Sequence, residues 1–447
     1  MTHSAEDPLA NIGDHTGSEP KEILVVTEHV GIVLYALGQL GISAPGQQDR
    51  EDSVLLGLTR LKLVGDLATP EVAEHQSGPP TGAASADRIG PLLTAIKSVI
   101  QQGRRSGWVP TMGRNRLVGH VTGTDGGPIV SEVGASGVNP IHVLETEIPK
   151  QNWSRFDDED GIGGQPTLKY RLDKPIGARV GIVDTALRPH PWLVGARVLP
   201  QAVGLPQSTA PGSWRAAHGT AMVGIVLQKA PDVEIDIEGA LDKDGRTTVW
   251  NAANSIASFA LSGIDILNLS FSCYTGDGLP PLALATAIDR LDPRIVVVAA
   301  AGNFGEAQEG DLDLSTAPAW PAALDDVVAV GSVTPGGSGW VTADFSPRAP
   351  WVDVLARGAN VRSLIIANAS GTNLGPAELP AAPGYAEWGG TSVSTAIVTG
   401  AIATQMQDAR LSAVDAWHSL RDGLDKLGTG DPFYDPRLLP PDPGSGL

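Results

Sequence analysis

The chain has 447 residues, 42% apolar and 18% charged, enough for a sizeable core in one large domain or two to three smaller ones. Its 31 basic and 50 acidic residues give a net charge of −19, which argues against a nucleic-acid surface with its basic stripe. The single cysteine, Cys273, excludes an internal disulfide framework and a Cys-based zinc site, and no apolar run of about 18 residues offers a membrane span. Fifty-four glycines and 35 prolines indicate many turns and long loops instead of a helical bundle.

Residues 1–20 read as a polar tail without the basic-then-apolar pattern of a signal peptide, so cytoplasmic residence is the expectation. A compact pattern follows over 21–120. The segment ILVV (Ile23 to Val26) predicts a strand, HVGIVLYALGQLGI an amphipathic helix, and LLGLTRLKL (Leu55 to Leu63) a second strand. The stretch 74–88, EHQSGPPTGAASADR, rich in Gly, Ser, Pro and Ala, has a disordered-looking composition. PLLTAIKSVIQQ then opens a helix on a proline, and WVPTMGRNRLVGHV predicts one more strand, giving a small β-α-β-α-β unit. Residues 121–175 are Gly-rich and irregular, a linker or wrapping arm; their acidic run Asp157 to Asp160 reads as a solvated charge cluster instead of a calcium loop. From about 176 to 430, short continuous apolar strands alternate with helices of about a dozen residues, the texture of parallel βαβ units covered on both faces. The last segment, 431–447, is a Pro/Gly-rich tail.

Three stretches carry potential chemistry. VGIVDTALRPHPW ends a buried strand on Asp184, at the rim where α/β sheets place their sites. AAHGTAMVGIVLQ sets His218 at the start of an apolar helix. GGTSVSTAIVTGA holds Ser392 in a run that satisfies both a strand's alternation and a helix's i, i+3, i+4 face. Each residue alone reads as structural: a turn or capping aspartate, a satisfied core histidine, a packing serine.

Taken together and in this order, the three stretches resemble the subtilisin-like serine proteases. The residues that carry the resemblance are VDTA at 183–186, HGTAMVGIV at 218–226, AAAGN at 299–303 and GTSVSTAIVTG at 390–400. It covers roughly residues 176–425 and implies a three-layer α/β/α fold with a mostly parallel central sheet, beside a small N-terminal α/β unit. The implied activity is serine endopeptidase chemistry on a polypeptide substrate, with no cofactor, metal, nucleic acid or membrane partner. Asp184, His218 and Ser392 take the positions of the catalytic triad and Asn303 that of the oxyanion hole; Ser270, Phe271, Ser272, Ala301 and Gly302 fall where the family lines its cleft.

Some residues depart from the pattern. Ala186 and Ala396 replace a usual glycine and a usual proline, and Arg357 stands where a proline is common. The N-terminal unit resembles the family's prodomain in position and content, which implies intramolecular inhibition, with 121–175 as the region for a cut. The same sequence also admits a pseudoprotease that only binds peptides, and an acyl-transferring macrocyclase. Intact Asp184, His218, Asn303 and Ser392 weigh against the first; nothing in the residues separates the second from hydrolysis. The expectation for the serine segment is a helix that starts at or just after Ser392, with Thr391 near its cap.

Overall fold

Alternation and turn chemistry build the N-terminal unit first. In the computed structural model, strand β1 (Glu22–Val26) is followed by helix α1 (Val30–Gln39), then β2 (Arg50–Ser53) and β3 (Leu58–Lys62), helix α2 (Ile89–Gly103), β4 (Met112–Arg114) and β5 (Leu117–His120). The structure describes residues 20–65, 67, 72, 89–103, 108–120, 142–143, 177–193, 195–199, 214–275, 277–305, 315–336, 339–366 and 383–424. The expectations for residues 1–19, 74–88 and 425–447, and for 121–175 apart from 142–143, lie outside these.

β2, β3, β1 and β4 form an antiparallel sheet in that order. One face packs on α1 and α2 around Ile23, Val25, Leu37, Leu61, Leu92 and Ile96, all fully buried. The other face presents Leu24, Leu56 and Leu58 to the second core described below. Two expectations change here. Residues 50–53 form an additional strand, and the stretch expected to give one strand yields two, β4 and β5. The break falls at Asn115, whose side chain is buried and bonded on both sides: Nδ2 donates to Glu22 Oε2 at 2.5 Å and Oδ1 accepts the Trp250 N–H at 3.0 Å.

Chain order continues with β6 (His142–Val143), β7 (Arg179–Thr185), β8 (Val198–Leu199), α3 (His218–Lys229), β9 (Glu234–Leu241), β10 (Arg246–Thr248), α4 (Val249–Ser258), β11 (Ile266–Leu269) and β12 (Phe271–Ser272). After these come α5 (Leu282–Asp289), β13 (Val296–Ala300), β14 (Val327–Gly336), β15 (Gly339–Thr342), β16 (Val354–Arg357), β17 (Val361–Ile366), β18 (Pro383–Trp388), α6 (Thr391–Ala409) and α7 (Ala413–Arg421). The central sheet runs β15-β14-β13-β11-β7-β9-β8, with β16 joined to β14. All its pairings are parallel except that of β15. Strands such as VVVAA in β13 are buried along their whole length because helices cover both faces.

The three layers follow from two apolar cores. One lies between the sheet and α3, α6 and α7, through Ile182, Val223, Ile225, Val398 and Ile402. The other lies between the sheet and α4 and α5, through Leu267, Val297, Ile256 and Leu284. This second core also takes in Leu24, Leu58 and Val118, so the N-terminal unit docks on the α4–α5 face by apolar burial. Polar ties surround that contact: Ser53 Oγ donates to Asn254 Oδ1 at 2.6 Å, Trp250 Nε1 to Glu51 Oε1 at 3.0 Å, and Arg290 Nη1 to the Leu55 carbonyl at 2.9 Å. Among the described residues no helix is long and apolar enough to cross a membrane.

Candidate active site

Parallel strands deliver their C-terminal ends to one rim of the sheet, and β7 brings Asp184 there. A register shift against β9 falls between Asp184 and Thr185, with Gly239 facing Asp184. A Cβ at Gly239 would lie 2.9 Å from Ala186, so a bare backbone at 239 makes room for the alanine that replaces the family's glycine. Thr185 Oγ1 accepts the Gly219 N–H at 2.9 Å and ties this rim to the first turn of α3, whose first residue is His218.

His218 Nδ1 lies 2.9 Å from each oxygen of Asp184, and its Nε2 lies 3.1 Å from Ser392 Oγ. A carboxylate only accepts, so Nδ1 donates and Nε2 presents its lone pair to the serine hydroxyl. All three side chains are buried: Asp184 is fully enclosed, and His218 and Ser392 are 4% and 3% exposed. Burial by itself would push the Asp184 carboxyl up. The opposing pull of His218 and His120, through charge and hydrogen bonds, prevails and holds it well below the usual carboxylate range.

Ser392 is the second residue of α6, which begins at Thr391, one residue earlier than the sequence suggests. Gly390 precedes the helix with φ +123, a conformation a side chain rarely adopts; an added Cβ would also meet Asn303 Nδ2 at 3.0 Å. Two contacts aim this helix start. Gly390 N–H donates to the Gly358 carbonyl at 2.8 Å, and Arg357 steadies the following turn through the Ala359 and Asn360 carbonyls at 3.2 and 2.9 Å. Asn303 Oδ1 accepts the Thr391 N–H at 2.9 Å, which fixes the amide and leaves its Nδ2 on the side of Gly390 and Ser392. Gly302, at φ +105, donates its N–H to Thr391 Oγ1 at 3.2 Å. The helix N-terminus adds a positive dipole end behind the serine.

The residues expected along the cleft divide by strand alternation. Phe271 and Ser272 pair through their backbones with His120 and Gly119 of β5, but the Phe271 side chain is fully buried in the α4–α5 core and does not line the cleft as expected. Ser270 Oγ accepts from Asn268 Nδ2 at 2.9 Å and donates to the Ser392 carbonyl at 3.3 Å, so it braces the serine helix. Ala301 is buried in a small cluster with Val333 and Leu355. Cys273 is also buried, which pushes its thiol up to about 12 and leaves it inert.

The residue that sequence reasoning passed over is His120. β5 lies between β10 and β12, antiparallel to both, in a three-stranded sheet. At its end His120 Nε2 sits 3.0 Å from Asp184 Oδ1, and its ring packs on that of His218. The available signal was a histidine closing a short strand, LVGH, just before the long Gly-rich segment. Among the described residues, His120, Asp184 and His218 are also the set of ligand types close enough together to hold a cation, but their facing atoms are already joined by hydrogen bonds.

Comparison with known proteins gives the family and the fold. A thermophilic serine proteinase of Bacillus sp. (strain AK1) is 30% identical over 227 residues, 48% of this chain and 49% of that protein. Subtilisin DY of Bacillus licheniformis is 29% identical over 228 residues, 48% of this chain and 73% of that one. The chain thus spans about half the length of the first of these relatives. Among solved structures, fervidolysin from Fervidobacterium pennivorans, a keratinolytic enzyme related to subtilisin, superposes with a TM-score of 0.55 at 19% identity. That match covers 92% of this chain and 57% of fervidolysin, a likeness of fold. The model of the subtilase family matches residues 176–424, more than half of the sequence, and the chain belongs to that family.

Proposed function

We propose that this protein is a serine endopeptidase that cleaves polypeptides through an acyl-enzyme and is held latent by its own N-terminal unit. The observation that carries the reading is the line Asp184–His218–Ser392, with Nδ1 on the buried carboxylate and Nε2 at 3.1 Å from the hydroxyl. A free serine hydroxyl is a poor nucleophile at neutral pH. His218 takes its proton as Oγ attacks the scissile carbonyl, and returns that proton to the leaving amine. Asp184 holds the imidazole in the working tautomer and stabilises the imidazolium. Asn303 Nδ2 and the Ser392 N–H face the oxygen on which charge develops. Water then repeats the attack on the acyl-enzyme and regenerates Ser392.

Latency is supported by where β5 runs. β5 is an extended segment held edge to edge by β10 and β12, with its last residue against His218, an arrangement that a bound peptide substrate would share. On this reading, the cut is expected within the first few residues after His120. Incubation of the purified full chain followed by mass spectrometry tests this. The expected result is a new N-terminus shortly after His120 in wild type and none in Ser392→Ala. A fluorophosphonate probe should label wild type at Ser392 once the unit is released. Failure to label under conditions that label subtilisin sinks the enzyme reading.

A further inference from the structure

The imidazole of His120 is 2% exposed, and its surroundings match its shape on three sides. Asp184 Oδ1 accepts from Nε2 at 3.0 Å, which places the ring proton on that nitrogen. The His218 ring covers one face, with centroids 3.9 Å apart and planes 33° from parallel. Gly245 forms the third wall. A Cβ there would lie 2.2 Å from His120 Nδ1, 2.8 Å from Cε1 and 2.9 Å from Cγ, and Gly245 itself has φ +72. Gly245 also fixes the strand, since its carbonyl accepts the His120 N–H at 2.9 Å. Nδ1 is buried with no hydrogen-bond partner among the described residues, so the fit is to an imidazole with one proton.

We propose that this slot is an imidazole-selective subsite: the cleft takes peptide segments that carry histidine where His120 sits, with the carboxylate of Asp184 reading the ring N–H and the absent side chain of Gly245 admitting the ring. This rests on the endopeptidase reading and narrows its substrate class to polypeptides with histidine at that position. Phenylalanine would place a larger ring without a donor there and leave the Asp184 oxygen one bond short. Asparagine is too short to reach from the same backbone, and alanine leaves the slot empty. A hydrogen bond to a charged group separates the right side chain from the wrong ones by about tenfold or more.

The test uses the full chain in two arms. In a Ser392→Ala background, which cannot cut itself, hydrogen–deuterium exchange of the 117–120 amides reports how tightly the strand is held. His120→Phe, His120→Asn and His120→Ala should each exchange about tenfold faster or more there, with Val180–Val183 of β7 as an internal control for the fold. Protection of the Phe or Ala chain equal to that of His120 overturns the proposal. In the second arm, wild-type and His120→Ala full chains, incubated until the N-terminal unit is released, cleave internally quenched peptides containing Leu-Val-Gly-Xaa. Xaa as His should exceed Phe, Ala and Lys in kcat/KM by about tenfold or more. Equal rates overturn the proposal while leaving the protease intact. Absence of both turnover and fluorophosphonate labelling after the N-terminal unit has been released removes the protease reading, and the exchange arm then decides the slot alone.

Discussion

The rings of His120 and His218 lie against one another, and both histidines bond the same oxygen of Asp184. Burial first, and the neighbouring His218 second, push His120 down to about 4; Arg215 adds to the push and Asp184 opposes it. Released into water, the same histidine titrates near 6.5. Because the docked value lies below the free one, docking is at full strength above about pH 6.5 and weakens as pH falls toward 4, by about 2 kcal/mol at pH 5. In Ser392→Ala full chain, exchange of the 117–120 amides, corrected for intrinsic rates, should accelerate between about pH 7.5 and pH 5. Constant protection across that interval contradicts the assignment.

Removing the proposed oxyanion donor should slow chemistry more than binding. Asn303→Ala should lower kcat about 10²–10³-fold with little change in KM, as loss of such a donor does in subtilisin. Steady-state kinetics of the released protease check it; a pure KM effect would mean that Asn303 only shapes the cleft.

Gly390 precedes the serine helix in a backbone conformation reserved for glycine. Gly390→Ala should cost about 1–3 kcal/mol of stability, through strain at φ +123 and the approach to Asn303 Nδ2. Its fluorophosphonate labelling should fall further than its thermal midpoint suggests, because the same Cβ would push the Asn303 amide away from its position beside Ser392. Labelling at the wild-type rate would show that the helix start tolerates the shift.

Asn115 joins the N-terminal unit to the start of α4 through Glu22 and Trp250. Asn115→Ala leaves the Trp250 N–H without that acceptor, at a cost of about 1–3 kcal/mol. The unit should release more readily, and fluorophosphonate labelling of the full chain should speed up. An unchanged labelling rate would place the grip elsewhere, on the apolar contact of Leu24 and Leu58.

The protease domain was legible because its strands are continuous apolar runs and its site residues close or open elements: Asp184 near the end of β7, His218 at the head of α3. The serine segment was not legible locally. Its small and β-branched residues fit periods of 2 and 3.6 alike, and the choice rests on Gly390's backbone and on the Asn303–Thr391 bond, both set by tertiary context. β2 escaped notice because Arg50, Glu51 and Asp52 are charged edge-strand residues that carry no apolar alternation. His120 escaped for a different reason. Its meaning lies in a partner 64 residues away, and nothing in LVGH announces it.

β5 also constrains what cutting can accomplish. Its backbone is paired with β10 on one edge and β12 on the other, and Val118 is buried in the α4–α5 core. None of these bonds depends on the chain continuing past His120. A cut there would change connectivity without emptying the cleft, and the N-terminal unit would pass from a tethered segment to a bound product. What such a cut would remove is the high effective concentration that the tether supplies. The onset of proteolysis should therefore follow a dilution law: slow in concentrated protein, faster once the fragment is dispersed or destroyed.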